Sequence, residues 1–262
     1  MPQEMPLNGR LTAVPAYFLG LPMLTRSKFN EWTVLASDAD PNARRIFEKF
    51  ITKNFDGMTV TPLTAGPRRT GPVYKIEFAG KKYVLKSDLR QRHRTDYLVQ
   101  SFFRGSNAFR LLQSMEKALE KSPNERGVVR VFLAADLRDR FIGRIVFQCF
   151  VLMEFVDGRE VGTIPDGIKT YGNECARILR WMHANKMVHG DAHPGNFMVE
   201  NGTGTVRVID ISGKKPTRGQ MAFDRIRLEK QFGIKNEIRD LPFYLMQFHL
   251  AWRKFWQSFK KH

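Results

Sequence analysis

Between His189 and Asn196 the chain reads His-Gly-Asp-Ala-His-Pro-Gly-Asn, which sets a carboxylate, Asp191, five residues ahead of a carboxamide, Asn196. A second carboxylate, Asp210, follows Asn196 by fourteen residues. Gly190, Pro194 and Gly195 cannot continue a helix, so the stretch is expected to form a compact loop. Its flanks are more regular. Ile168, Tyr171, Cys175, Ile178, Leu179 and Met182 recur with the helical period and predict a helix over 168–185 with one buried stripe. Phe197–Val199 and Val206–Ile209 predict two short strands joined by a turn at 201–204. Helix, loop and hairpin in that order bring Asp191, Asn196 and Asp210 to one end of a packed unit; the alternative is that all three sit in surface turns, the usual place for Asp and Asn.

Transfer of a phosphoryl group requires an acidic side chain aimed at the attacking hydroxyl and oxygen ligands that hold a divalent metal against the triphosphate. Asp191 suits the first task, Asn196 and Asp210 the second. A cation for the phosphates must come from another strand. Lys86 closes the run Lys82-Tyr83-Val84-Leu85-Lys86, about a hundred residues before Asp191. Val73–Phe78 alternates and pairs with 82–87 through the turn Ala79-Gly80-Lys81. The turn at 65–72, with Gly66, Gly71, Arg68 and Arg69, is a candidate cover for the nucleotide phosphates, although Pro67 and Pro72 remove backbone donors. The helix expected between Arg94 and Lys121 has no glutamate in its first half. Glu116, with Glu120 behind it, is the candidate partner of Lys86; an exposed charge balancing Lys117 and Lys121 explains the same letters. After the apolar run 145–150, Val151–Gly158 reads either as a hinge whose backbone at Glu154 and Val156 meets adenine, or as a plain strand-to-turn exit.

Val151–Gly158, His189–Phe197 and Val208–Ser212 resemble the kinase-like superfamily that includes aminoglycoside and choline phosphotransferases. Gly190-Asp191-x-His193-x-Gly195-Asn196-Phe197, followed by Asp210-Ile211-Ser212 and by Asp224-Arg225-Ile226-Arg227-Leu228-Glu229, is similar in particular to the lipopolysaccharide core heptose kinases, over residues 45–235. The resemblance implies an α+β, bilobal protein-kinase-like fold. It divides the chain into an N-lobe built on a small antiparallel sheet (45–154) and a mainly helical C-lobe ending in an amphipathic helix (155–262), with residues 1–44 as an extension packing on the lobes. It also implies ATP and Mg2+ as cofactors, Asp191 as catalytic base, Asn196 and Asp210 as metal ligands, and Lys86 as the phosphate lysine. The implied acceptor is a heptose of an anionic glycolipid, the lipopolysaccharide core precursor, at the cytoplasmic face of the inner membrane. Asp210 is followed by Ile-Ser-Gly rather than Phe-Gly, so the phenylalanine switch of protein kinases is not carried over. Other readings of the same residues are a kinase for a different acceptor (the Kdo sugar or an aminoglycoside), a RIO-type protein or RNA-associated kinase, and a catalytically silent binding module.

Lys and Arg total 43 against 26 acidic residues, a formal charge of +17 that raises the local concentration of anions. Nucleic acid is disfavoured because no aromatic-interleaved basic platform is present; an anionic membrane or a phosphate-bearing substrate remains. Arg90, Arg92, His93 and Arg94, and Lys214, Lys215 and Arg218, are candidate substrate contacts at the cleft mouth or simply solvated charge. On a helix over 241–262, Leu241, Leu245, Phe248, Trp252, Phe255 and Phe259 share one face, beside Arg253, Lys254, Lys260 and Lys261. That face either packs on the large lobe or lies in a lipid headgroup layer. Residues 11–24 are broken by Pro15, Gly20 and Pro22 and fit neither a signal peptide nor a spanning helix. Cys149 and Cys175 both lie in apolar segments and are expected as buried free thiols in a reducing compartment.

Overall fold

A computed structural model describes residues 23–64, 71–88, 106–139 and 145–259. The hairpin predicted from alternation is formed by β4 (Val73–Phe78) and β5 (Lys81–Asp88), with Ala79 and Gly80 at its tip, both at positive φ. It belongs to a seven-stranded antiparallel sheet with β1 (Leu24–Phe29), β2 (Trp32–Ser37), β3 (Met58–Pro62), β6 (Val131–Arg138) and β7 (Val146–Glu154), in the order β1-β2-β6-β7-β5-β4-β3. Residues 24–37 therefore correct one expectation: they do not pack on a lobe as a separate extension but hydrogen-bond into the sheet, β2 against β6. Burial of Trp32, Val34 and Leu35 anchors them there.

The apolar run in β7 serves both faces of the sheet, as a doubly covered strand must. Phe150 and Leu152 point to the side covered by α1 (Ala43–Ile51), where Ile46 and Phe47 complete a core with Trp32, Ile76 and Leu85. Cys149, Val151 and Met153 point to the side covered by α2 (Asn107–Lys121), against Leu112, Met115 and Leu119. Since Tyr83 and Leu85 of β5 belong to the α1 side, alternation turns Lys86 to the α2 side, where the rest of the chain packs.

That remainder comprises β8 (Gly158–Glu160), α3 (Gly167–Ala184), β9 (Phe197–Glu200), β10 (Val206–Val208), α4 (Arg218–Phe232) and α5 (Leu241–Phe259), with a small sheet ordered β10-β9-β8. The stripe predicted for α3 is buried at Cys175, Ile178, Leu179 and Met182, while Ile168, the first residue of the pattern, is exposed. Both cysteines are free and buried, and burial pushes the Cys175 thiol up to about 12.

Asp136 of β6 ties the sheet to α2. It is fully buried and accepts a hydrogen bond from Ser106 Oγ (2.7 Å), the residue that caps α2, and from Arg138 (2.9 Å). Burial outweighs these partners and lifts its carboxyl to about 6 from 3.8. A raised folded-state value means that the native chain holds the proton longer than the unfolded chain, so this group's contribution to stability is lost as pH climbs through that interval. The stability of Asp136→Asn relative to wild type should therefore rise by roughly 2 kcal/mol between pH 4 and pH 7. Urea unfolding of both proteins at the two pH values measures it.

Candidate active site

The loop from His189 to Asn196 begins soon after α3 ends. Lys186 takes positive φ, Met187 and Val188 are buried, and His189 is fully enclosed. From behind, Asp224 of α4 accepts the backbone N–H groups of His189 (2.8 Å) and Gly190 (2.7 Å), one on each carboxylate oxygen. His183 Nε2 lies 3.2 Å from the same carboxylate, which is fully buried. Gly190 has φ +83°, and a Cβ there would meet Ser212 Oγ at 2.6 Å, so both backbone angle and space require glycine. His189 Nδ1 accepts the Asp191 N–H at 3.3 Å, which leaves the proton on Nε2, and burial lowers the ring's pKa, keeping it neutral. Its role is to shape the loop.

Asn196 Nδ2 donates to the Asp191 carbonyl (2.9 Å), closing the loop on itself. The segment after β10 then pairs with it: Ile209 N donates to Asn196 O (2.9 Å) and Ser212 N to His189 O (3.1 Å). Asp210 lies between those two bonds, at φ +54°, a left-handed conformation costly for a residue with a Cβ. Its carboxylate forms an ion pair with Lys86 of β5. Lys86, Asp191, Asn196 and Asp210, read from three separate stretches of sequence, are thus joined by direct bonds or by backbone pairing one residue away. The Lys86 side chain is largely enclosed at 22% exposure, whereas Asp210 and Asp191 are open at 51% and 59%. Arg227 of α4 sits 3.5 Å from one Asp191 oxygen and His193 Nε2 3.9 Å from the other. Lys214 is exposed, with its ammonium beside Gly190.

Glu116 does not meet Lys86. Its buried carboxyl is raised by burial and accepts a hydrogen bond from Ser37 of β2, because the docking of α2 turns this position toward β2 and β6. Lys86 has its counter-charge in Asp210 instead. The Glu154 side chain is likewise committed: it takes Arg207 at 2.5 Å and the Arg130 N–H at 3.2 Å, while its own N–H donates to Arg130 O. Any contact of Glu154 with a base must use its carbonyl, beside the buried Val156. Gly71, at φ +79°, leads into β4; Gly66, Arg68, Arg69 and the cluster Arg90, Arg92, His93 and Arg94 lie outside the described residues.

Asp224 and Arg227 enter the sequence analysis only within the stretch that carries the resemblance, with no role assigned to either, and Arg207 is not named there. Asp224 was legible only as an acid inside a basic stretch; an acid on the buried side of a helix is the signal that marks it.

A strand-borne lysine, a loop carboxylate and a paired Asn–Asp on an α+β scaffold define a phosphotransferase of the protein-kinase-like class. Residues 23–262 match the family model described as "Lipopolysaccharide core biosynthesis protein (WaaY)", and the chain belongs to that family. It is similar to a "Lipopolysaccharide core heptose(II) kinase WaaY" of Escherichia coli strain K12, with 29% identity over 238 residues, 91% of this chain and 98% of the relative. A second Escherichia coli protein of the same description is 27% identical over 241 residues, 91% of this chain and 99% of the relative. Among solved structures, the Mycobacterium tuberculosis PknI kinase domain is 17% identical with a TM-score of 0.41, over 72% of this chain and 80% of that one. The maize SIRK1 kinase domain bound to AMP-PNP is 14% identical with a TM-score of 0.41, over 67% and 57%.

Proposed function

We propose that the protein transfers the γ-phosphoryl group of ATP to a hydroxyl of a heptose in the lipopolysaccharide core. The observation that carries this reading is the convergence of Lys86, Asp191, Asn196 and Asp210 in a chain whose relatives are named heptose(II) kinases. The same heptose is carried over as acceptor. The reaction is assigned to the cytoplasmic leaflet that bears the growing glycolipid, by a peripheral protein; no described helix is long and apolar enough to cross a membrane.

Asp191 orients the acceptor hydroxyl and takes its proton late, since a loose transition state rewards position more than base strength. Arg227 and His193, one near each oxygen, hold the carboxylate in the orientation that faces the acceptor. Lys86 exchanges Asp210 for phosphate oxygens and stabilises the charge that builds there. The fit for magnesium rests on the donor set. Among the described residues no group of three or more His, Cys, Asp or Glu forms a protein-only cage. Asn196, whose NH2 is spent on the Asp191 carbonyl, offers its amide oxygen, and Asp210 offers an open carboxylate, which leaves the remaining positions to phosphate and water as this cation prefers. Asn196 and Asp210 would hold a magnesium ion, which would supply neutralising charge to the phosphates. The backbone carbonyl of Glu154 and the backbone of Val156 would meet the adenine.

The test is incubation of the purified protein with γ-labelled ATP, magnesium and, separately, heptose-bearing core oligosaccharide, Kdo and an aminoglycoside, with products read by mass spectrometry. One phosphate on the heptose is expected. Label on Kdo or on the aminoglycoside alone would replace the acceptor, and bound nucleotide with no labelled product would make this a silent binding module.

A further inference from the structure

α5 carries apolar side chains on two opposite faces. One is used: Phe243 is fully buried, and with Met246 and Leu250 it packs on Ala222 and Ile226 of α4. At about 100° per residue, the row Tyr244, Leu245, Phe248, Trp252, Phe255 and Trp256 is centred half a turn away. Each of the six is between 51% and 68% exposed, and Leu241 at the head of the row is 70% exposed. The rings are ordered along the helix, Phe248 stacked on Trp252 with centroids 6.1 Å apart and Trp256 edge-on to Trp252 at 5.8 Å. The core has therefore been supplied by the narrow face, and the side chains of the wide aromatic face stay more than half exposed. A contiguous patch of this kind marks an interaction surface.

We infer that this face of α5 docks on the anionic headgroup layer of a lipid bilayer. Three features select lipid. From Leu241 to His262 the sequence contains no Asp or Glu but includes Arg253, Lys254, Lys260 and Lys261, so the segment that carries the apolar row has only positive formal charge. The row is rich in Trp and Tyr, whose ring bodies and polar tips suit the boundary between acyl chains and water. And the helix is not apolar enough to cross a membrane, which leaves it lying in the plane of the surface. The chain's charge of +17 adds long-range attraction to phosphate-bearing lipid. This docking deepens the location assigned to the reaction, yet it uses no residue of the cleft and does not depend on which sugar is phosphorylated.

The experiment is co-sedimentation of the full chain with vesicles of phosphatidylcholine alone and of phosphatidylcholine mixed with phosphatidylglycerol, without any sugar acceptor. Wild type is expected on the mixed vesicles, with binding that falls as salt rises. The double substitution Phe248→Ser and Trp252→Ser is expected to lower the bound fraction roughly tenfold or more. Both positions are exposed, so thermal unfolding and phosphorylation of delipidated core oligosaccharide should stay at the wild-type level. Wild type that fails to sediment with anionic vesicles, or a double variant that sediments equally well, overturns the inference. So does a dimer in sedimentation velocity that the double variant dissociates, since the face would then be a contact between two copies.

Discussion

Asp191→Asn is expected to lower phosphoryl transfer by about three orders of magnitude while nucleotide affinity stays within a few-fold of wild type. The loop geometry does not depend on the lost charge. Asp224 holds the backbone at His189 and Gly190, and Asn196 is fastened to the carbonyl of residue 191 rather than to its side chain. An asparagine there can still accept a hydrogen bond from the acceptor hydroxyl, but it cannot take the proton. The defect should thus fall on the rate of the chemical step in single-turnover measurements, with titration of ATP and magnesium nearly unchanged. A variant that keeps a tenth of the wild-type rate would remove Asp191 from the mechanism.

Asp224→Ala is expected to cost roughly 3–5 kcal/mol of stability and to abolish activity. Two buried N–H donors lose their acceptor at once, and His183 loses its carboxylate partner. Asp224→Asn should recover little, although it is the same size. Each carboxylate oxygen takes a donor, so an amide in its place sets its own N–H2 against a backbone N–H. Urea unfolding with activity followed in parallel checks the pair; an Asn variant within about 1 kcal/mol of wild type would mean that the two backbone bonds are not what holds the loop.

The parts of this architecture that are readable in sequence are the local ones. The hairpin of β4 and β5, the buried stripe of α3 and the loop from His189 to Asn196 each follow from a period or from turn residues within a few positions. Three features were not readable, for one reason: each depends on how distant segments dock. The hairpin of β1 and β2 finds its sheet partner at β6, about a hundred residues on. Lys86 pairs with Asp210 across 124 residues, and Glu116 points to β2 because of the phase in which α2 settles on the sheet. In α5 the sequence announces the one face through Phe248 and Trp252 but not whether it is covered; the packed row is another, through Phe243.

Gly213 joins two parts of the molecule that the chemistry needs in register. It lies three residues past Asp210, and its backbone runs so close to the first turn of α2 that any Cβ would collide with the carbonyl of Asn107. Arg110 of the same helix bonds the Gly213 carbonyl at 2.8 Å. Even one added methyl group would prise the carboxylate-bearing segment away from the helix that backs the lysine sheet. Inactivating changes in this protein can therefore arise where there is no side chain to lose, and a genetic screen that tracks only charged cleft residues would overlook them.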